Sequence, residues 1–201
     1  ENVRTDLGGC TFDFKEYRDI RLSLPGLYQP SNGAVALTVI SVLKERGLAI
    51  SGDAVRSGMQ SVSWPARFET IIKEPLTIYD GAHNMAGITV AVDSIRTYFD
   101  GQKVNIFMGV MADKEYDAVI ERTARYASEI ITVMTPDNVR ALPAEDLAKA
   151  VAVHNSHVQA AESIQAAVSR AYELAEKEDV ILAFGSLSYL GELVRAVQER
   201  R

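Results

Sequence analysis

Apolar and polar positions change period along this chain, and the changes divide it. Residues 11–14 and 21–24 alternate polar with apolar, as short half-buried strands do. Pro25-Gly26 ends that pattern. From Asn32 to Arg46 the apolar residues Val35, Leu37, Val39, Ile40, Val42 and Leu43 predict a largely buried helix, with Gly47 as its C-cap. Ser51 is placed to cap a short helix carrying Val55 and Met59. Trp64-Pro65 then punctuates the chain, and a boundary is expected there, between segments 1–64 and 65–201. Beyond it, strands are expected at 68–73, 76–79, 103–110, 130–134 and 180–184. They alternate with helices expected at 86–98, 115–126, 144–153, 163–177 and 189–199. That order predicts an α/β fold: a Rossmann-like, mostly parallel sheet with helices on both faces. The two strands and two helices before the boundary are too little for a comfortable autonomous domain.

Composition narrows the partners. With 201 residues and 47% hydrophobic content, the chain can bury a sizeable core. No apolar run approaches a membrane span, so no membrane partner is expected. The 21 basic and 27 acidic residues give a net charge of −6, which argues against a nucleic-acid surface but not against a nucleotide. Cys10 is the only cysteine, so no intrachain disulfide forms and a reducing, cytoplasmic setting is expected. The start, Glu-Asn-Val-Arg-Thr-Asp, is polar and unlike a secretory signal. Without an initiator Met it reads as a processed or cut chain.

The candidate chemistry centres on Tyr79-Asp80-Gly81-Ala82-His83-Asn84, between a short strand and a helix. In open α/β sheets ligands bind at the carboxyl ends of strands, and a following helix points its free N–H groups at the same place. Asp80 can accept the hydroxyl hydrogens of a ribose, and His83 can donate to a phosphate oxygen. Gly81 gives backbone freedom, and Asn84 is read as the helix N-cap under either a binding or a purely structural reading. Arg67, in Trp64-Pro65-Ala66-Arg67-Phe68-Glu69, fits either a surface ion pair or a phosphate contact through its planar fork. The segment 26–32 opens the first helix as a turn with Ser31 or Asn32 as cap, or with Gln29 and Asn32 as an amide pair reading a base edge.

Taken in order, Gly-x-x-Gln-x-x-Asn at 26–32, the Trp64–Glu69 linker and Asp-Gly-Ala-His-Asn at 80–84 resemble folylpolyglutamate synthase. That family, often also active as dihydrofolate synthase, belongs to the Mur ligase superfamily. Gly109–Lys114 and Gly185–Glu192 resemble further family segments, so the likeness runs over nearly the whole chain. Three positions depart from the usual pattern. Tyr28 stands where His is usual, Ala66 where Gly is usual, and Met85 where Pro is usual.

The resemblance implies ATP-dependent addition of L-glutamate to a folate carboxylate through an acyl phosphate. Asp80 would hold the ribose hydroxyls, and His83 would sit near the ribose and α-phosphate. Arg67 would reach the terminal phosphates, and Asn32 with Gln29 would lie near the base. Asp113 and Lys114 would face the substrate side, though Asp113 equally fits a helix cap or dipole partner. Ser186 would donate to a bound carboxylate, or simply cap a helix. No catalytic residue and no metal site is assigned to this chain. It holds no Gly-x-x-x-x-Gly-Lys-Ser/Thr loop, which in the family lies in the larger N-terminal part with the Mg²⁺ ligands. The chain is thus expected to be a central-domain remnant, 1–64, and a Mur-type C-terminal domain, 65–201. It is expected to be inactive alone and part of a monomeric enzyme. Two other readings stay open: another Mur-type peptide ligase, or a non-catalytic nucleotide-binding or interaction module. His154 and His157, spaced i, i+3 where a helix ends and without a third ligand, are not read as a metal site, and the run Glu173, Glu176, Lys177, Glu178, Asp179 reads as a solvated helix face and turn. Cys10 reads as structural.

Overall fold

A computed structural model describes residues 1–200, which form two compact units, Glu1–Arg67 and the residues from Phe68 onward. In the first, β1 (Arg4–Asp6), β2 (Gly9–Phe14) and β3 (Tyr17–Leu22) make an antiparallel sheet in that order. Alternation holds for Cys10 and Phe12 and for Ile20 and Leu22, though β3 covers Tyr17–Leu22 and not the expected 21–24; with Tyr17 these residues turn inward and meet Leu37, Val55 and Met59. These last three come from α1 (Gln29–Glu45) and α2 (Gly52–Ser61). Gly33 lets α1 come down on the sheet, because a Cβ there would lie 2.6 Å from the Phe12 ring. Burial and the Arg21 charge act oppositely on the Cys10 thiol. Burial dominates and raises it to about 11, so the thiol stays protonated and inert, in keeping with a structural role.

Both helix ends obey local rules. Gly47 takes a left-handed φ of 94°, and the Gly47 and Leu48 N–H groups return to the Lys44 and Leu43 carbonyls, a Schellman closure. Ser51 Oγ accepts the Ala54 N–H at 3.1 Å. The expected deep burial of α1 is corrected. Gln29, Pro30, Gly33 and Leu37 are its buried residues, whereas Val35, Val39 and Val42 are 65%, 53% and 42% exposed. The cause is geometric: one helix face meets the small sheet, and apolar residues at i, i+4 and i+7 on the other face lie outside that contact.

The second unit carries a six-stranded sheet, β4-β5-β9-β6-β7-β8. Its strands are β4 (Glu69–Lys73), β5 (Leu76–Tyr79), β6 (Val104–Met108), β7 (Glu129–Thr132), β8 (Val158–Ala160) and β9 (Val180–Phe184). Every neighbouring pair is parallel except β4 with β5, an antiparallel hairpin at the edge whose turn holds a cis Glu74–Pro75 bond. The helices are α3 (Met85–Tyr98), α4 (Tyr116–Thr123, followed by a 3₁₀ turn), α5 (Ala144–Ala152), α6 (Ile164–Leu174) and α7 (Leu190–Glu199). Helix α3 packs on α4 and α4 on α5, while α6 packs on α7. A parallel sheet needs such cover on both faces, and β6 and β9 are buried at every position. This is the expected fold class. Among the described residues no helix is long and apolar enough to cross a membrane.

Strand β9, last in sequence, lies between β5 and β6, and it organises the carboxyl edge. The ladder runs past the strand ends: Asp80 N–H donates to the Ala183 carbonyl at 2.9 Å, and Gly185 N–H to the Ala82 carbonyl at 2.9 Å. Gly185 has φ 114°, and a Cβ there would lie 2.4 Å from the Gly109 carbonyl oxygen. Tyr189, fully buried, stacks on Phe107 and donates its hydroxyl to the Phe184 carbonyl at 2.6 Å. Burial outweighs a hydrogen bond from the Gly109 backbone and drives its phenol far above the ordinary range, so the hydroxyl stays neutral. Gly185→Ala is expected to destabilise by about 2–4 kcal/mol, from a left-handed alanine plus a backbone clash. A fall in the chemical-denaturation midpoint checks this, and an unchanged midpoint would refute the close approach.

Candidate functional site

Asp80 leaves the end of β5 almost buried, 5% exposed. Its Oδ1 accepts the Ala82 N–H at 2.7 Å and its Oδ2 accepts the Phe68 N–H at 2.8 Å. A charge-assisted bond of this kind contributes about 1.5–3 kcal/mol. Phe68 requires such support. Its φ is 50°, a left-handed value that costs a bulky L-residue about 1–2 kcal/mol. Its ring is fully buried and lies against Phe99 and Tyr98, at 6.2 Å and 5.8 Å between centroids.

His83 follows on the same loop and is exposed. Its Nδ1 lies 2.8 Å from the Gly81 carbonyl oxygen. A carbonyl can only accept, so Nδ1 carries the hydrogen. Nε2 of the neutral ring is then an acceptor, and it donates to a phosphate oxygen only as imidazolium. Asn84 is the N-cap, its side chain accepting the Gly87 N–H at 2.9 Å, and the remaining first-turn N–H groups of α3 open beside His83.

Two hollows meet at this carboxyl edge. One, of about 280 Å³, is lined by His83, Lys114, Asn138, Arg140, Ser186 and Ser188. The other, of about 290 Å³, is lined by His83, Asn84, Asp113, Lys114 and Glu115. His83 and Lys114 border both. The first is basic and rich in donors, suited to a carboxylate or phosphate, while the second mixes both signs. A larger hollow, about 520 Å³, lies on the first unit and is lined by Asn2, Arg4, Asp13, Arg18 and Asp19. Its charged groups are engaged with one another and with backbone, Arg4 with Asp19 at 3.0 Å and Asp13 with the Asp19 N–H, so size does not make it the site.

The structure therefore brings Asp80, His83, Lys114 and Ser186 to one sheet edge. Ser186 is buried and does not cap α7, since no side-chain cap is made there; its Oγ accepts the Ser188 N–H at 3.2 Å and keeps its hydrogen to donate. Asp113 is not the cap of α4 either. It takes Nε and Nη2 of Arg140 at 3.0 and 2.5 Å, and that guanidinium holds its carboxyl below the usual range. The pair is half exposed, so it orients side chains more than it stabilises. The loops beneath it are joined more firmly: Ala112 N–H donates to the Arg140 carbonyl and Leu142 N–H to the Val110 carbonyl. Arg140 and Asn138 were not foreseen from the sequence. Their only signal is position, on the loop after β7 at the same edge.

Gln29 and Asn32 bond to each other on the first turn of α1, Asn32 Nδ2 donating to Gln29 Oε1 at 3.0 Å. Arg67 ends the first unit, half-buried, and donates to the Ala66 carbonyl at 3.2 Å. It makes no ion pair among the described residues, while Glu69 accepts the Tyr79 hydroxyl at 2.7 Å. The surface ion pair considered for Arg67 is therefore not formed. His154 and His157 reach no third ligand, and among the described residues no group of three or more His, Cys, Asp and Glu could hold a metal.

The family model described as the Mur ligase, glutamate ligase domain matches residues 66–187. The chain is 34% identical over 126 residues to the folylpolyglutamate synthase of Lacticaseibacillus casei, covering 62% of this chain and 29% of that protein. It is 32% identical over 152 residues to the dihydrofolate synthase/folylpolyglutamate synthase of Bacillus subtilis (strain 168), covering 73% and 35%. In three dimensions it is similar to Mycobacterium tuberculosis folylpolyglutamate synthase complexed with ADP and AMPPCP. That match has a TM-score of 0.81 and 27% identity, over 100% of this chain and 46% of the other. The chain thus spans less than half the length of these relatives.

Ala66 gives a local test of the linker. Its φ is 60°, left-handed and unfavourable for alanine. Ala66→Gly is expected to stabilise by about 0.5–1 kcal/mol, read as a rise in melting temperature. A fall would mean that this backbone is not left-handed.

Proposed function

The chain belongs to the Mur ligase family through its glutamate ligase domain. From that premise we propose that it is the carboxyl-terminal part of an ATP-dependent ligase that adds L-glutamate to folate. The observation that carries this reading is the basic cleft at the carboxyl edge of the sheet, lined by His83, Lys114, Arg140 and Ser186, with Asp80 on the loop that carries His83. A folate carboxylate, ATP and glutamate are all anions, and such a cleft suits them.

In this reading ATP phosphorylates the folate carboxylate, the amine of glutamate attacks the acyl phosphate, and phosphate leaves. Positioning and charge carry such a transfer. Asp80 accepts ribose hydroxyls on its carboxylate. His83, as imidazolium, donates from Nε2 to a phosphate oxygen. Arg67 approaches the terminal phosphates, and Gln29 with Asn32 serve the base. Lys114 and Ser186 bind a substrate carboxylate. Asp113 acts indirectly, by holding Arg140 at the cleft. Among the described residues no group of three or more His, Cys, Asp and Glu gathers, and this reading puts the Mg²⁺ ligands, with the phosphate loop, in the part of the relatives that this chain does not span. The first unit is then a remnant of the central ATP-binding domain, and the assembled enzyme is read as a cytoplasmic monomer.

Two outcomes test this. Purified alone, the 201-residue chain is expected to show no ATP-dependent glutamate ligation, while the complete protein ligates glutamate to a folate acceptor. Activity of the short chain, or glutamate refused by the complete one, would contradict the proposal. In the complete protein Asp80→Ala should raise the KM for ATP by about tenfold or more, the scale of one charge-assisted contact. His83→Gln should also weaken ATP binding. Unchanged ATP affinity would remove His83 from the phosphate.

A further inference from the structure

Asp80 is engaged beyond what a ribose contact requires. Its two carboxylate oxygens hold the N–H groups of Phe68 and Ala82, and its own N–H is anchored on the Ala183 carbonyl of β9. The peptide joining Arg67 to Phe68 is therefore fixed on its N–H side by a buried carboxylate. On the far side it is fixed by the Phe68 ring, fully buried against Phe99 and Tyr98. Phe68 stays at φ 50° between these restraints, and Ala66, on the other side of Arg67, is left-handed as well. Two unfavourable backbone conformations thus bracket one arginine. Strain of this kind persists where the surroundings over-determine it.

We infer that Asp80 is a positioning residue for Arg67, fixing the Arg67–Phe68 peptide and so directing the backbone from which the Arg67 side chain projects. The inference rests on the ligase reading above and deepens it. Without the carboxylate, Phe68 relaxes toward negative φ, and rotation at that bond redirects the chain before it. A nucleotide whose ribose engages Asp80 then shares the side chain that aims the arginine at its phosphates. The two ends of the nucleotide become coupled through one carboxylate.

Asp80→Asn keeps the shape and turns one acceptor into a donor, so one backbone N–H loses its partner. The first readout is amide hydrogen exchange at Phe68 in the 201-residue chain. The variant should exchange about tenfold faster there, one charge-assisted hydrogen bond's worth. Amides of β6 and β9 should not change, which shows that the fold is intact. The second readout is a double-mutant cycle with Arg67→Ala in the complete enzyme, using ATP and 2′,3′-dideoxy-ATP. Asp80→Asn should still lower kcat/KM by about tenfold with the dideoxy nucleotide, where no ribose hydroxyl remains. It should change little further once Arg67 is alanine. Unchanged Phe68 exchange, or effects of the two substitutions that simply add, would overturn the inference while leaving the ligase reading in place. Absence of glutamate ligation by the unmodified complete enzyme would instead overturn the ligase reading, and this inference with it.

Discussion

Strand β9 lies between β5 and β6, and the chemistry at the carboxyl edge depends on that insertion. Register places Tyr79 beside Ala183 and Ala183 beside Phe107. The strands end together, and their loops emerge into the same space. Two backbone bonds extend the ladder beyond the strands, Asp80 to Ala183 and Gly185 to Ala82. Gly185 makes this possible because a side chain there would meet the Gly109 carbonyl. Asp80, His83, Lys114 and Ser186 are thus gathered by backbone pairing between strands far apart in sequence, not by contacts among themselves.

The forces at this edge differ in kind. Burial of β6 and β9 on both faces supplies stability, since apolar area removed from water contributes about 25 cal/mol per Å². The polar groups supply direction. The Asp113–Arg140 pair is half exposed and screened by solvent, so its energy is small, yet it sets where a guanidinium stands at the cleft. The Asp80 carboxylate is nearly buried, and leaving either N–H partner unpaired there would be costly. It is a structural group as well as the proposed ribose contact. Its backbone bonds join the loop after β5 to Phe68, where the second unit begins.

Much of the fold was legible because helices and buried strands announce themselves locally. Ser51 and Asn84 cap as their side chains suggested, Gly47 closes α1, and the apolar run at Val180–Phe184 is a central strand. The three-residue strands β1 and β8 escaped because three residues carry no period. The antiparallel setting of β4 escaped because alternation does not encode direction. Helix α1 looked buried because its sequence is apolar all round, and only the width of the sheet beneath it decides which face is covered. At the site, Asp80 and His83 stood out by residue type and spacing. Arg140 did not, because its partnership with Asp113 spans 27 residues and two loops. Nor did the carboxylate bonds of Asp80 to Phe68 and Ala82, which depend on backbone geometry.

The central claim is that this chain completes a ligase acting through an acyl phosphate. The most direct measurement follows the oxygen. A folate substrate bearing heavy oxygen in its acceptor carboxylate is turned over with ATP and L-glutamate by the complete protein, and the released phosphate is weighed by mass spectrometry. The account predicts one heavy oxygen transferred to each phosphate formed. Phosphate carrying none of the label, with amide product still formed, would contradict it.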